Sequence, residues 1–486
     1  MNAELEELSV RLRSENLADR VVALGRVAVL DSQGLDVTKV IGQTFSVPNN
    51  QPQNMFIKAR RYVNCLVEKQ LEYKQDFMAP AIQMVLSDFE RPDPLVKGLA
   101  VREAGKIASE GNIEQLLPVI TRGAVSDDPY VRKSAALAIL NLFHTRGSFI
   151  EKYNLGQTLK QLVEDSNPNV AANAVAALSE INGARSSPLF QPTSTTVNNL
   201  LAAIEQTTEW AQIQILDFVA TFRPSDPADA RGIIARVSPR LQHANPAVVL
   251  SAIRCCLQMN LFIEDQSKIR DTLSKVVPPL VTLLNNAAPI QFVAIKSIFI
   301  LLQHYRKLLS SEVSIFFCKF NDPLYMKLAK LDVILSLVNS LNVGKVIEEL
   351  FDYAQSTDIE FVRKSIAALG KVCLMFESAA DSCVDKLVQL ISQKVHYVLQ
   401  ECIVVCADIF RRYPGKYEGI IAKICENLTN QLDDHRARAA MIWILGEYAA
   451  DISGSGDMID GIYLDDFVEE TPDVQLALLT AIVKFS

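Results

Sequence analysis

The stretch D-P-Y-V-R-K-S-A-A-L-A-I-L, residues 128–140, sets an acid and a proline ahead of two basic residues and an almost wholly apolar run. Asp128 is a good N-cap, because its carboxylate can accept from the unpaired N–H groups of a first helical turn. Pro129 suits the first helical position, where its missing N–H costs nothing. Val131, Ala135, Ile139 and Leu142 then recur at helical spacing, while Arg132 and Lys133 fall off that stripe. The pattern predicts an amphipathic helix from residue 129, with Asp128 placed four residues before Arg132 as its charge partner.

The same wording returns along the chain. Asp93-Pro94-Leu95-Val96-Lys97 precedes Ala100, Asn167-Pro168-Asn169-Val170 precedes Ala174, and Asn245-Pro246-Ala247-Val248 precedes Ala252. Asp358 to Lys364 leads into Ala367, and Thr471-Pro472-Asp473-Val474 into Ala477, in the same phase; Ala288-Pro289-Ile290-Gln291 is a weaker match. Anchored on the valines, the steps are 35 residues (96 to 131), 39 (131 to 170) and 78 (170 to 248, two periods). Between the anchors lie second apolar segments such as Gln115 to Gly123 and Leu155 to Val163. A period close to ~40 residues with two helical segments per unit predicts an all-α fold: a curved, HEAT/armadillo-like right-handed α-solenoid of helical hairpins without β-sheet. Residues 45–54 and 183–197, rich in Pro, Ser, Thr and Asn, read as connectors between repeats, and Ser453 to Gly456 as a turn.

Composition narrows the function class. The chain has 486 residues, 49% hydrophobic and 21% charged, enough to bury a large core. A net charge of -8, with basic residues only in short groups such as Lys58-Ala-Arg60-Arg61 and Arg411-Arg412, argues against a nucleic-acid partner. From Glu447 to Asp473 the sequence carries acids and no Lys or Arg, which reads as a solvated face. The acidic start M-N-A-E-L-E-E-L is unlike a secretory signal. The longest uncharged window, Val276 to Ile295, contains Pro278, Pro279 and Pro289 and reads as a helix-turn-helix corner rather than a membrane span. Nine scattered cysteines suit free thiols in a reducing compartment, hence the cytosolic side.

No catalytic, metal or cofactor constellation emerges. His144, His243, His304, His396 and His435 fall in different repeats, without ligand spacing. Cys402 and Cys406, one turn apart, read as core thiols. The acid pairs Asp433-Asp434 and Asp465-Asp466 sit at helix starts and read as caps, and the Asn427-Leu428-Thr429 sequon has no role in a cytosolic chain. The expectation is a binding or scaffold protein, not an enzyme.

Particular segments go beyond a generic repeat. N-P-N-V-A-A-N-A-V-A-A-L-S-E-I (167–181), Glu209-Trp210-Ala-Gln-Ile, H-A-N-P-A-V-V-L-S-A-I (243–253), N-D-P-L-Y-M-K-L-A-K-L-D-V-I-L (321–335), residues 408–421 and M-I-W-I-L-G-E-Y-A (441–449) together resemble the trunk of the beta subunit of clathrin-type adaptor-protein complexes, the beta-adaptins. M-I-W-I-L-G-E-Y is the most specific of these, and it also reads as a core helix with Trp443 buried. The resemblance, densest from about residue 88 to 485, implies one trunk domain over residues 1–486. It implies pairing with a second large adaptin and with medium and small adaptor subunits, in a coat that sorts membrane cargo at Golgi, endosomal or plasma membranes. It also implies phosphoinositide contact near the first hairpin, where Arg20 and Arg26 match best among Arg11, Arg13, Arg20 and Arg26. An Arf-type GTPase contact is implied around Phe77 to Val85, with Ile82 the apolar candidate beside a core reading of the same residue. A hinge with a clathrin-binding box and an ear domain follow the trunk in this family; neither is found in these 486 residues, so clathrin contact is expected only through regions outside the chain. The rival is another cytosolic helical-repeat scaffold, such as a nuclear transport receptor or a phosphatase scaffold.

Overall fold

The computed structural model describes residues 2–37, 40, 43–44, 53–71, 77–305, 309–427, 432–449, 452, 459 and 467–485. Every regular element among the described residues is helical. None of these helices is long and apolar enough to cross a membrane.

The caps work as their residue types dictate. Asp128 Oδ1 accepts from the Tyr130 N–H at 2.8 Å, and the Pro129–Thr145 helix follows. Asp93, Asn167 and Asn245 cap Pro94–Ile107, Pro168–Ala184 and Pro246–Asn260 in the same way, accepting from Leu95, Asn169 and Ala247 at 3.0, 3.0 and 2.9 Å. Asp128→Ala is expected to cost about 1 kcal/mol, read as a lowered urea midpoint with an unchanged slope. Capping sets where each helix begins; packing holds it. Val131, Ala135, Ala138, Ile139 and Leu142 are all buried, and at roughly 1.5–3 kcal/mol for each large side chain their burial outweighs the cap severalfold.

The charge partner expected of Asp128 is a different one. Arg132 reaches past it into the next repeat: Nε and Nη2 donate to the two carboxylate oxygens of Asp165 at 2.6 and 2.9 Å, and Nη1 donates to the Ser126 and Asp127 carbonyls at 2.8 Å. Asp128 has already committed its oxygen to the cap, and the Asp165 carboxylate offers a planar, two-pronged acceptor that suits guanidinium. The arrangement recurs at the same place in other repeats. Lys327, fourth residue of Leu324–Leu337, pairs with Asp358 at 3.2 Å; Arg438, fourth residue of His435–Glu447, pairs with Glu470. Asp358 accordingly makes no side-chain cap. Each pair joins the first turn of one anchored helix to the loop that leads into the next.

Packing divides the chain into two compact units, Met1–Pro279 and Leu280–Ser486. In the first, Pro94–Ile107 lies against Pro129–Thr145, which lies against Pro168–Ala184, then Glu209–Val219 and Pro246–Asn260. In the second, the corresponding run is Ala288–His304, Leu324–Leu337, Ile359–Met375, His396–Arg412, His435–Glu447 and Pro472–Phe485. The intervening helices, among them Ile113–Ala124 and Leu155–Val163, cover one side of this stack with a single apolar stripe. At Gly105 and Gly446 a side chain would run into backbone, which cannot swing aside: a Cβ on Gly105 would stand 2.6 Å from Ala138 Cα, and one on Gly446 2.8 Å from Ala481 Cα.

One connector reading changes. Within 183–197 the preceding helix persists to Ala184 and the next begins at Ser194, capped by Thr193. Asn182 ties the loop between them, donating to the Phe190 carbonyl and accepting from the Leu189 N–H, both at 2.7 Å. The Val276 to Ile295 window holds the helix-turn-helix corner read from it, between Gln266–Leu283 and Ala288–His304, with Pro278 and Pro279 inside the first helix rather than at the turn. Residues 45–52, Ser453 to Gly456, Leu428-Thr429 and Asp465-Asp466 lie outside the described residues, while Gln53 and Asn54 open the Gln53–Leu71 helix.

Candidate functional site

The N-terminal basic residues sit on two short-range scaffolds. Asn16 Oδ1 caps the Leu17–Ser32 helix by accepting from the Ala18 N–H at 3.0 Å, and this helix carries both Arg20 and Arg26. Arg20 Nε donates back to the Ser14 carbonyl. Arg26 Nε and Nη2 both donate to Glu4 Oε1, at 2.9 and 2.8 Å, joining the second helix to Asn2–Leu12; Arg11 pairs with Glu7 one turn away at 2.7 Å. The surface is therefore basic in sequence but largely self-paired. An anion approaching Arg26 has to displace the Glu4 carboxylate, an exposed pair worth ~1 kcal/mol or less.

Ile82 lies in Met78–Phe89, and the structure places it in the core: it is 6% exposed, beside buried Ala81, Met84 and Val85. The same helix presents Ala79, Pro80 and Gln83 outward. Below it sits a buried charge group that periodicity gave no hint of. Asp88 pairs with Arg60 at 2.7 Å and with Arg91 at 3.3 Å, and the two guanidinium groups stand over the Phe56 ring at 5.3 and 4.0 Å. Burial pushes the Asp88 carboxyl up and the Arg60 guanidinium down, against the attraction between them. Such a group fixes how Gln53–Leu71 sits against Met78–Phe89 more than it adds stability.

The second unit holds two further polar features. Lys327 and Lys330, three residues apart on the core side of Leu324–Leu337, are buried, each with an acid: Asp358 for the first and Asp322, at 2.6 Å, for the second. Their spacing with Ile334, at i, i+3 and i+7, is the signal that could have placed them inside. Trp443 is not in the core. It is half-buried and forms one wall of a groove of about 340 Å³ with Arg411, His435, Arg436, Ala439 and Ala477. Arg411 stacks on its ring at 4.2 Å and pairs with Asp408 at 2.9 Å. The stack covers the indole face that the apolar run suggested would be buried by carbon. Cys402 and Cys406 are buried as expected of core thiols, and burial pushes Cys406 up to about 12 and Cys402 well above its usual range. Among the described residues of these features, no nucleophile, base and orienting group come together.

The family model described as "Adaptin N terminal region" matches residues 2–486. The chain belongs to the adaptin family. Among curated proteins, this adaptin is 40% identical over 483 residues to AP-1 complex subunit beta-1 of Mus musculus, covering 99% of this chain and 51% of that protein. It is 38% identical over 481 residues to AP-1 complex subunit beta of Dictyostelium discoideum, covering 99% and 50%. It is 32% identical over 454 residues to AP-2 complex subunit beta of Schizosaccharomyces pombe, covering 93% and 66%. The adaptin chain thus spans about half the length of the first two relatives. Among solved structures it superposes on a chain of a homology model of the full-length AP-3 complex in an intermediate open conformation, with a TM-score of 0.61, 18% identity and coverage of 99% of this chain and 82% of that one. The structure of Kap121p bound to RanGTP gives a TM-score of 0.56 at 11% identity, covering 99% and 62%. At those identities the structural likeness speaks for the helical-repeat fold alone.

Proposed function

We propose that this adaptin is the trunk, over residues 1–486, of a beta-type large subunit in a heterotetrameric adaptor complex of vesicle coats. It pairs with a second large adaptin and with medium and small subunits, and it works without catalysis in cargo sorting and intracellular protein transport. The observation that carries this is 40% identity to an AP-1 beta subunit sustained over 483 residues, nearly the whole chain. A generic solenoid scaffold needs only the apolar pattern, whereas here 40% identity is sustained over 483 residues. The site of action is the cytosolic face of Golgi, endosomal or plasma membranes. Clathrin contact belongs to regions outside the chain. Affinity purification of the tagged chain from its own cells, followed by mass spectrometry, is expected to recover one second large, one medium and one small adaptor subunit. Recovery alone, or with nuclear-transport cargo, contradicts the proposal.

Peripheral contacts follow from the same reading. Arg20 and Arg26 contribute to phosphoinositide binding once Arg26 exchanges Glu4 for a phosphate, each basic residue adding ~1 kcal/mol near an anionic surface. The double variant Arg20→Glu with Arg26→Glu is expected to lower co-sedimentation with phosphoinositide vesicles by about tenfold or more. Unchanged co-sedimentation removes both residues as lipid ligands. An Arf-type GTPase meets the Phe77 to Val85 segment through Ala79, Pro80 and Gln83, with Ile82 supporting them from within.

A further inference from the structure

Ahead of the Leu324–Leu337 helix lies a turn whose construction exceeds what joining two helices requires. Residues 319–322 close on themselves, the Asp322 N–H donating to the Lys319 carbonyl at 3.1 Å. Asp322 Oδ2 accepts from the Lys319 N–H at 2.8 Å and from Lys330 Nζ at 2.6 Å. Lys330 Nζ also donates to the Phe317 carbonyl at 3.4 Å, and the Cys318 N–H donates to the Tyr353 hydroxyl at 2.7 Å. Lys330 is 5% exposed. Burying an ammonium costs several kcal/mol unless it is paired, so a buried charge is being used to hold one short turn in one shape. At the tip of that turn Phe320 is 96% exposed, next to exposed Lys319.

The same two lysines border a cavity of about 260 Å³, together with the amide side chains of Asn285 and Gln291. Val281, Leu284 and Ile315 form its apolar wall. Lys330 has three N–H donors, and Asp322 and the Phe317 carbonyl engage two of them. Asp322 neutralises one of the two ammonium groups, which leaves the cavity with about one net positive charge in a chain whose net charge is -8. Its volume falls below the ~300–1,000 Å³ typical of small-molecule sites. It has room for one side chain, not for a nucleotide.

We propose that this cavity docks one acidic side chain of a partner polypeptide, a carboxylate or a phosphate monoester on Ser or Thr, while a neighbouring apolar residue of that partner packs on Phe320. Lys319 and the spare donor of Lys330 supply charge-assisted hydrogen bonds, and the Asn285 amide, with the Gln291 N–H not given to the Asn286 carbonyl at 2.7 Å, fixes the direction of the oxyanion. The pinned turn lets Phe320 act as a preorganised aromatic anchor, with little entropy left to lose on binding. A recessed cavity of this size suits a peptide side chain better than a bilayer surface, which cannot enter it. The inference rests on these residues and not on the adaptor reading, and its failure leaves that reading untouched.

The test titrates the full chain into fluorescein-labelled eight-residue peptides that are identical except at one position, which is phosphoserine, glutamate, serine or lysine, with leucine two residues later. Fluorescence anisotropy is expected to show saturable binding for phosphoserine and glutamate and none in the same range for serine and lysine. Lys319→Glu is expected to weaken the acidic peptides by about tenfold or more, and Phe320→Ala by severalfold. Both side chains are exposed, and circular dichroism checks that each variant is folded. Equal binding of all four peptides, binding of none, or acidic-peptide binding unchanged in both variants overturns the proposal. A loss confined to phosphatidylserine vesicles, with peptide binding unchanged, assigns the turn to lipid and also overturns it.

Discussion

Asp165→Ala is expected to destabilise the Met1–Pro279 unit by about 3 kcal/mol, the lower part of the range for removing one member of a buried ion pair. The loss arises because Arg132 stays behind. Its Nη1 keeps the Ser126 and Asp127 carbonyls, but Nε and Nη2 lose both carboxylate oxygens in a site where the acid is only 9% exposed. Asp165 also accepts from the Asn167 N–H at 2.8 Å, so the variant loosens the entry to the next helix as well. Hydrogen exchange is expected to rise first in Pro129–Thr145 and Pro168–Ala184. The effect has a pH signature. Burial pushes the Asp165 carboxyl up, but the Arg132 hydrogen bond and the Asn167 N–H outweigh it, and the folded value lies below the ordinary carboxylate range. A depressed folded value means that the pair's contribution is complete above the unfolded pKa of ~3.9 and is lost as pH falls through the folded value. The stability gap between the native chain and the variant should therefore be constant from pH 5 to 8 and close only in stronger acid, on the order of pH 4 and below. A gap that closes near neutral pH, or no gap, contradicts the role given to Arg132.

Gly446→Val is expected to destabilise the Leu280–Ser486 unit by about 3 kcal/mol, the upper part of the usual overpacking range. A Cβ at residue 446 meets the Ala481 Cα and Cβ at 2.8 Å, and backbone cannot swing aside as a long side chain would. Relief requires His435–Glu447 and Pro472–Phe485 to separate, which uncovers Val474, Leu478 and Ala481. Thermal unfolding followed by circular dichroism should show an earlier transition. Faster hydrogen exchange should be confined to those two helices, and Trp443 fluorescence should shift as its groove opens. An unchanged melting profile would mean that the two helices are not held in contact at this glycine.

These substitutions also show what was legible in the sequence. The repeat, the caps and the phase of the apolar stripe depend on residues within one helical turn, so D-P-Y-V-R-K-S-A-A-L announced its helix correctly. The partner of Arg132 depends on how one repeat sits on the next, and Asp165 lies too far along the chain for spacing to reveal it. Ile82 was open to two readings because an apolar stripe looks the same against a core or a partner, and only packing distinguishes them. Trp443 misled for the opposite reason: a large apolar side chain in an apolar run suggests burial, yet Arg411 on a neighbouring helix covers it instead. The buried lysines carried a readable signal at positions 327 and 330, one that charge alone argues against. Arg20 and Arg26 illustrate a further limit, since a run of basic residues does not show which acids already hold them.

The claim that this chain is a beta-type adaptor trunk is tested most directly by native mass spectrometry of the complex purified on the tagged chain. The account predicts one assembly containing a single copy each of this chain, a second large adaptin, a medium subunit and a small subunit. A dominant mass equal to the chain alone, or to the chain with partners that are not adaptor subunits, contradicts it.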